Sequence, residues 1–300
     1  MADDGRGSAV AAVVVTYDAL PWIEQCLDSV AGVETVVVDH GSRDGTLAFV
    51  RERYPAVRLI EAENRGLGAG WNIGIRAITS TYVLLLNADA WMLPGSLERL
   101  VDFADTRPRA AVVGPRLLNQ DGTLQRSVRG FPTPWRLATE YFFLRKLAPR
   151  SSVFNAFYAG GFDHDEVRDV EFVMGACLLV RRSAIDQVGE CDEDYFLFSE
   201  ETDWCYRFRR AGWEVVFYPG AECVHVGGAA HRGRLYRENL RGHLLFLWKH
   251  RGPGAAERAR RLLLAALRLR GVLFPGERGR TYREAAGWLA SGDAAALLER

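Results

Sequence analysis

The chain reads as an α/β protein: a mostly parallel central sheet with helices on both faces, followed by a basic helical segment at the C-terminus. Three observations predict this. Short apolar runs alternate with helix-like stretches over the first ~110 residues, the pattern of parallel strands joined by helical crossovers. Several of those runs are apolar without a break, as strands buried on both faces are. Finally, bases gather late in the chain: Ala230–Arg283 holds fourteen Arg or Lys against three acids, a local charge of +11 in a 300-residue chain of net charge zero.

Taken in order, Ala9–Thr16 (AVAAVVVT) is a buried strand and Pro21–Val30 a helix with proline near its first turn. Thr35–Asp39 (TVVVD) is a strand ending on a carboxylate; a turn through Ser42–Thr46 leads into a helix over Leu47–Tyr54. Val57–Ile60 is a strand, and Gly66–Ile78 a glycine-rich turn followed by a helix. Tyr82–Leu86 then gives five apolar residues in a row, ended by Asn87-Ala88-Asp89. Leu97–Ala104 is helical, Ala111–Val113 a strand, and Arg116–Trp135 loop-rich. The aromatic and basic stretch Pro134–His164 is either a lid or acceptor surface, or ordinary packing. Val170–Arg181 is a strand broken at Gly175-Ala176; Ser199 is placed to cap a helix that stops at Gly212, and Val215–Tyr218 is a last strand.

Ligands of an open α/β sheet collect at the carboxyl ends of its strands. Two acids fall there. Asp89 either takes a hard divalent cation, Mg²⁺ or Mn²⁺, or caps the helix near Pro94. Asp39 either accepts hydrogen bonds from a nucleobase or caps its own turn. The Asn64–Asn72 segment lacks GxGxxG spacing, but its glycines would let backbone approach a phosphate or sugar. Glu200, Glu201 and Asp203 lie within one helical turn after an aromatic run. They are there for the helix dipole, or to supply a carboxylate whose raised pKa suits a general base. His225, among glycines past a strand, is either structural or completes a metal site begun by Asp89.

Five scattered cysteines form no CxxC pair, which speaks against a zinc site or disulfide framework and for a reducing, cytoplasmic setting. Met1–Ser8 is polar and not a signal peptide, and no run approaches the ~20 apolar residues of a spanning helix. The tail at Leu235–Arg270 carries apolar stripes (Leu240, Leu244, Leu245, Leu247, Trp248; Leu262, Leu263, Leu264, Ala266, Leu267) beside arginines. It is expected either to rest peripherally on an anionic membrane at its inner face, or to pack as an ordinary helix. No nucleic-acid reader motif is present, so no nucleic-acid partner is expected.

The segments VVVTYD, VVVDHGSRDGT, ENRGLGAGWNIGI and LLLNADA, with VMGACLLVRR, ECDEDYFLFSEETDWCYRFRRAGW and VHVGG, resemble family 2 glycosyltransferases of the bacterial rhamnosyltransferase-like branch. The resemblance covers roughly residues 10–228. It implies a GT-A fold over residues 1–230, with a nucleotide-binding half near 9–115 and an acceptor half at 116–230, and a basic extension at 231–300. It implies an inverting, metal-dependent transfer of a sugar, rhamnose from dTDP-rhamnose as the best guess, to a cell-surface glycan or lipid-linked saccharide hydroxyl. A UDP-hexose or UDP-galactofuranose donor and a non-catalytic sugar- or lipid-binding relative are the alternatives.

Position by position, the resemblance implies that Asp39 holds the nucleobase and that Thr16 and Tyr17 line the nucleotide. Asn64, Gly70 and Asn72 would contact ribose or diphosphate, and Gly175 and Ala176 would border the sugar. Asn87-Ala88-Asp89 stands where such enzymes carry DxD, with His225 the other protein ligand. Glu201 takes the place of the family's aspartate base, one methylene longer, with Glu200 as substitute and Asp192 and Asp203 in acceptor or supporting positions. Asp18, His40 and Trp71 depart from the family pattern.

Overall fold

The computed structural model describes residues 9–227, 233–291 and 294. Its strands and helices begin β1 (Val10–Thr16), α1 (Ile23–Asp28), β2 (Glu34–Asp39), α2 (Thr46–Arg53), β3 (Arg58–Glu61), α3 (Leu67–Arg76), β4 (Tyr82–Asn87), β5 (Ala90–Met92) and α4 (Ser96–Asp105). They continue β6 (Ala110–Leu118), β7 (Leu124–Gln125), β8 (Val128–Arg129), α5 (Pro134–Tyr141), β9 (Arg168–Asp169), β10 (Phe172–Val173), β11 (Cys177–Arg181) and α6 (Arg182–Val188). The last are α7 (Glu200–Arg210), β12 (Glu214–His225), α8 (Gly233–Arg251), α9 (Pro253–Leu273) and α10 (Gly276–Ala290).

The chain forms two compact units, and neither is one continuous stretch. The first comprises Met1–Val128, His164–Phe196 and Glu200–Gly227; the second comprises Arg129–Asp163, Leu197–Ser199 and Gly228–Arg300. The boundary expected at 230/231 lies outside the described residues.

In the first unit the main sheet runs β3-β2-β1-β4-β11-β6-β12-β5. The four strands from β3 to β4 are parallel; β11 enters antiparallel between β4 and β6, and β12 is again parallel to β6. Helices lie on both faces, as the alternation of β1 demonstrates. Ala12 and Val14 share one core with Ile23, Cys26 and Leu27 of α1 and Leu97, Leu100 and Ala104 of α4. Val13 and Val15 point the other way, against α3. There a methyl at Gly74 would collide with the Val13 side chain and one at Gly70 would stand 2.8 Å from Val15 and 2.9 Å from His40. These glycines let α3 lie close on the sheet.

The loop-rich reading of Arg116–Trp135 misses structure: β6 extends to Leu118, and α5 starts at Pro134 with Thr133 accepting from the Arg136 N–H as its cap. Ser199 does not have the extended backbone of a capping serine, since Phe198 and Ser199 turn through left-handed conformations at φ 68° and 73°. All five cysteines are free and buried.

In the second unit α5, α8, α9 and α10 pack around their own core. Leu240, Leu244 and Leu247 of α8 and Leu263, Ala266 and Leu267 of α9 are buried in it. This corrects the picture of these stripes resting on a membrane, because their apolar surface is already removed from water by neighbouring helices. Several arginines are internal too. Arg270 is buried, donates to the carbonyls of Glu140 and Tyr141, and lies over the rings of Tyr141, Phe143 and Tyr282. No described helix is long and apolar enough to cross a membrane.

Candidate active site

The site forms at the carboxyl ends of β1, β2 and β4. β4 delivers Asn87, and the chain turns at once into β5, a strand of three residues that pairs antiparallel with the end of β12. The register sets His225 opposite Ala90, beside Asp89. The backbone closes the join, with the Val226 N–H donating to the Asp89 carbonyl at 3.0 Å and the Gly227 N–H to Asp89 Oδ2 at 3.2 Å. His225 Nε2 then stands 3.5 Å from Asp89 Oδ1.

The orientation of that imidazole is decided by Gln125, a residue with no sequence signal. The Gln125 amide nitrogen donates to the His225 carbonyl and to Asn119 Oδ1, both at 3.0 Å. Its Oε1 therefore faces His225 Nδ1, 2.7 Å away, and Nδ1 carries the proton. Burial lowers the His225 pKa, and the nearby Asp89 charge only partly opposes it. The neutral ring turns its Nε2 lone pair toward a carboxylate. Two electron-pair donors this close favour a cation between them, and adjacent ligands about 2.1 Å from one metal ion stand roughly 3 Å apart. Among the described residues no group of three or more His, Cys, Asp or Glu gathers for a metal. The protein would thus supply two ligands, leaving the rest to substrate oxygens and water.

At β1 and β2 the two loops brace one another. Asp39 Oδ1 accepts from the Gly41 and Ser42 N–H groups and Oδ2 from the Ser42 hydroxyl, so the carboxylate caps its own turn. Asp18 accepts from the Arg43 N–H, and Asp44 from the Leu20 N–H. Thr16 is buried with its hydroxyl lacking a hydrogen-bond partner, as are His40 Nε2 and Trp71 Nε1, while Tyr17 is exposed. Burial also lowers the His40 pKa, against the pull of Asp39.

The α3 segment needs a correction. Asn72, expected to touch ribose or diphosphate, is buried with its amide engaged by protein. It donates to the Cys191 carbonyl (2.9 Å) and Glu193 Oε1 (3.1 Å) and accepts from the Cys191 N–H (3.0 Å). Gly70 faces Val15 and His40 rather than open space. Asn64 is exposed and accepts from the Gly66 N–H. A methyl on Gly66 would meet the Phe196 backbone.

Gly175 and Ala176 join the two sides. The Asn87 N–H donates to the Ala176 carbonyl at 3.0 Å. A methyl at Gly175 would stand 2.9 Å from the Trp71 ring and 3.6 Å from Glu201 Cβ. Glu201 on α7 is thereby brought beside the strand break that also touches the Asn87–Asp89 turn. Glu200, the residue before it, is buried with one carboxylate oxygen unpartnered, and its pKa is pushed well up by burial and then by the charge of Glu201. Asp203 is part of the scaffold, since it pairs with Arg207 at 2.7 Å and accepts from the Tyr195 hydroxyl. Asp192 caps its own turn by accepting from the Asp194 N–H.

A glycosyl transferase family 2 model matches residues 11–189. The N-acetylglucosaminyl-diphospho-decaprenol L-rhamnosyltransferase of Mycobacterium tuberculosis is 35% identical over 230 residues, 71% of this chain and 74% of that one. Among solved structures, GalNAc-T7 with UDP, GalNAc and Mn²⁺ superposes with a TM-score of 0.59 at 14% identity. It covers 99% of this chain, which spans 58% of that longer protein. The mannosyltransferase PcManGT of Pyrobaculum calidifontis, in complex with GDP-Man and Mn²⁺, superposes with a TM-score of 0.52 at 20% identity, over 98% and 81% of the two chains. The chain belongs to glycosyltransferase family 2, in its rhamnosyltransferase-like branch, and has the GT-A fold.

Proposed function

We propose that the enzyme is an inverting, metal-dependent glycosyltransferase that moves rhamnose from dTDP-rhamnose to a hydroxyl of a lipid-linked saccharide. On this reading it works at the cytoplasmic face of the cell membrane. The observation that carries the proposal is the pairing of Asp89 with a neutral His225 whose Nε2 is aimed by Gln125. That donor set suits Mn²⁺ or Mg²⁺, which when bound offsets the charge that develops on a departing diphosphate. The 35% identity to a rhamnosyltransferase named for a decaprenol-linked substrate supports the choice of sugar and acceptor.

Thr16, Tyr17 and Asp39 would line the nucleotide, the Asn87–Asp89 turn the diphosphate, and Gly175-Ala176 the sugar. Glu201 takes the proton of the acceptor hydroxyl. The oxygen attacks the anomeric carbon from the face opposite the diphosphate, whose bond to that carbon breaks with the electron pair leaving on the phosphate oxygen. Burial, and then the charge of Glu201, keeps Glu200 protonated further up the pH scale than an ordinary carboxyl.

Thermal unfolding with dTDP- and UDP-sugars in Mn²⁺ or Mg²⁺ tests the donor. At a hundred times its Kd, dTDP-rhamnose with metal is expected to raise Tm by about 5 °C. Asp89→Asn should lose the metal-dependent part. Absence of any shift with every nucleotide sugar would overturn the proposal.

A further inference from the structure

The four-helix unit leaves one apolar corner uncovered. Leu269, Val272 and Leu273 stand at i, i+3 and i+4 on the last turns of α9 and share one face. Val272 is 85% exposed, Leu273 58% and Leu269 46%; Leu147, just past the short 3₁₀ turn Leu144–Lys146, is 80% exposed. No described large apolar residue is more exposed than Val272 and Leu147. The two segments meet through Phe143 and Phe274, whose ring centroids are 5.7 Å apart. Lys146 Nζ sits 4.9 Å over the first ring and the Arg278 guanidinium 4.6 Å over the second. Arg268 and Arg280 are exposed on the same helices, with Glu277 as the exposed acid nearest in sequence.

We infer that this corner docks on an anionic lipid surface, with the aliphatic tips entering the headgroup–acyl boundary and the bases meeting lipid phosphates. The chemistry favours lipid over a protein partner. Protein hot spots are built from Trp, Tyr and Arg filling shaped pockets, whereas here bare Leu and Val ends protrude within a cationic rim. Each base near an anionic leaflet adds attraction, and Ala230–Arg283 has eleven more bases than acids. The inner apolar faces of α8 and α9 take no part, being closed by the helical core. The inference depends on the surface alone, so it stands or falls separately from the choice of donor and acceptor.

The test is flotation of the full-length enzyme with vesicles of pure phosphatidylcholine or of phosphatidylcholine with phosphatidylglycerol, in low and high salt. The expected result is binding to the anionic vesicles alone, weakened by salt. Val272→Asp/Leu273→Asp should lower the vesicle partition at least tenfold, because two aliphatic side chains leave the boundary (~tenfold for each, from the transfer of a buried Val or Leu). Arg268→Glu/Arg280→Glu should weaken binding to anionic vesicles. Unchanged Tm and unchanged far-UV circular dichroism would show that both variants fold. Equal binding to both vesicle types, or undiminished flotation of the Val272→Asp/Leu273→Asp variant, would overturn the inference. So would a fall in sedimentation mass of that variant without any vesicle binding by the parent, which would mark the corner as a self-association face.

Discussion

The two units treat buried polarity in opposite ways. In the helical unit most polar groups deep in the structure have close protein partners. Arg270 is enclosed by three aromatic rings and two carbonyls, and nearer the surface the half-buried Glu257 is clamped by Arg260 and Arg261, which drop its pKa to about 2. In the sheet unit, unpartnered buried polar atoms include those of Thr16 and His40 at the ends of β1 and β2, Trp71 on α3 and Glu200 on α7, besides Arg116 and Ser127. A core polar group without a partner costs stability, so a cluster of them marks a surface shaped for something else to complete it.

The contrast is broken most directly at Glu201. Glu201→Gln should lower kcat by about 10³-fold, the usual range for loss of a general base being 10²–10⁴. Donor affinity by calorimetry and Tm should stay within error of the parent. A matching loss of Tm would make Glu201 a structural residue and return the site to the same class as the helical unit.

His243 sharpens the other side. Like Asn155 and Tyr236 of the same unit, it has a buried polar atom without a partner: it lies against Phe157 with Nδ1 unpaired, and burial pushes its pKa down to about 4. An unfolded chain would protonate it near 6.5, so the folded state resists protonation between those values. Stability should be full above about pH 6.5 and should fall as pH drops toward 4, by about 3 kcal/mol at most. Urea unfolding at pH 7 and pH 4.5, compared with His243→Phe, measures it; an equal loss in the variant would assign the acid sensitivity to other groups.

A smaller effect is expected at Gln125. Gln125→Ala should weaken Mn²⁺ binding by roughly 10–100-fold, the range seen when a ligand's hydrogen-bond partner is removed. Because the His225 pKa lies below its ordinary value, Mn²⁺ affinity in the parent should stay flat from pH 8 to about 6.5 and decline only at lower pH. Titration by electron paramagnetic resonance reads both. Undiminished affinity in the variant would mean that the β-strand backbone alone aims the ring.

Most of the sheet was legible because its strands are continuous apolar runs, and β1, β2 and β4 could take no other form. What sequence hides is pairing. β5 has three residues and no periodicity to detect, yet it is what brings Asp89 to His225. Gln125 lies on a two-residue strand whose partner is β6, and nothing local distinguishes it from a surface glutamine. The glycines of α3 and Asn72 misled for the opposite reason. Their composition suggests a ligand loop, but the side chains they meet, Val13, Val15 and Cys191, belong to distant parts of the chain. The tail was half legible. Its period of leucines reads as an amphipathic helix either way, and only the presence of α5 and α10 decides which face is left for solvent.

β12 advances four residues, from Tyr218 to Glu222, while its neighbour β6 advances one, from Pro115 to Arg116. Three surplus residues are an odd number, and side chains alternate sides along a strand. The surplus thus acts as a phase setting for everything downstream. Adding or removing two residues between Pro219 and Ala221 would leave the imidazole of His225 on its present side, whereas a change of one would present a valine there. Related chains that differ in length at this corner should therefore differ by even steps if they keep the histidine's task.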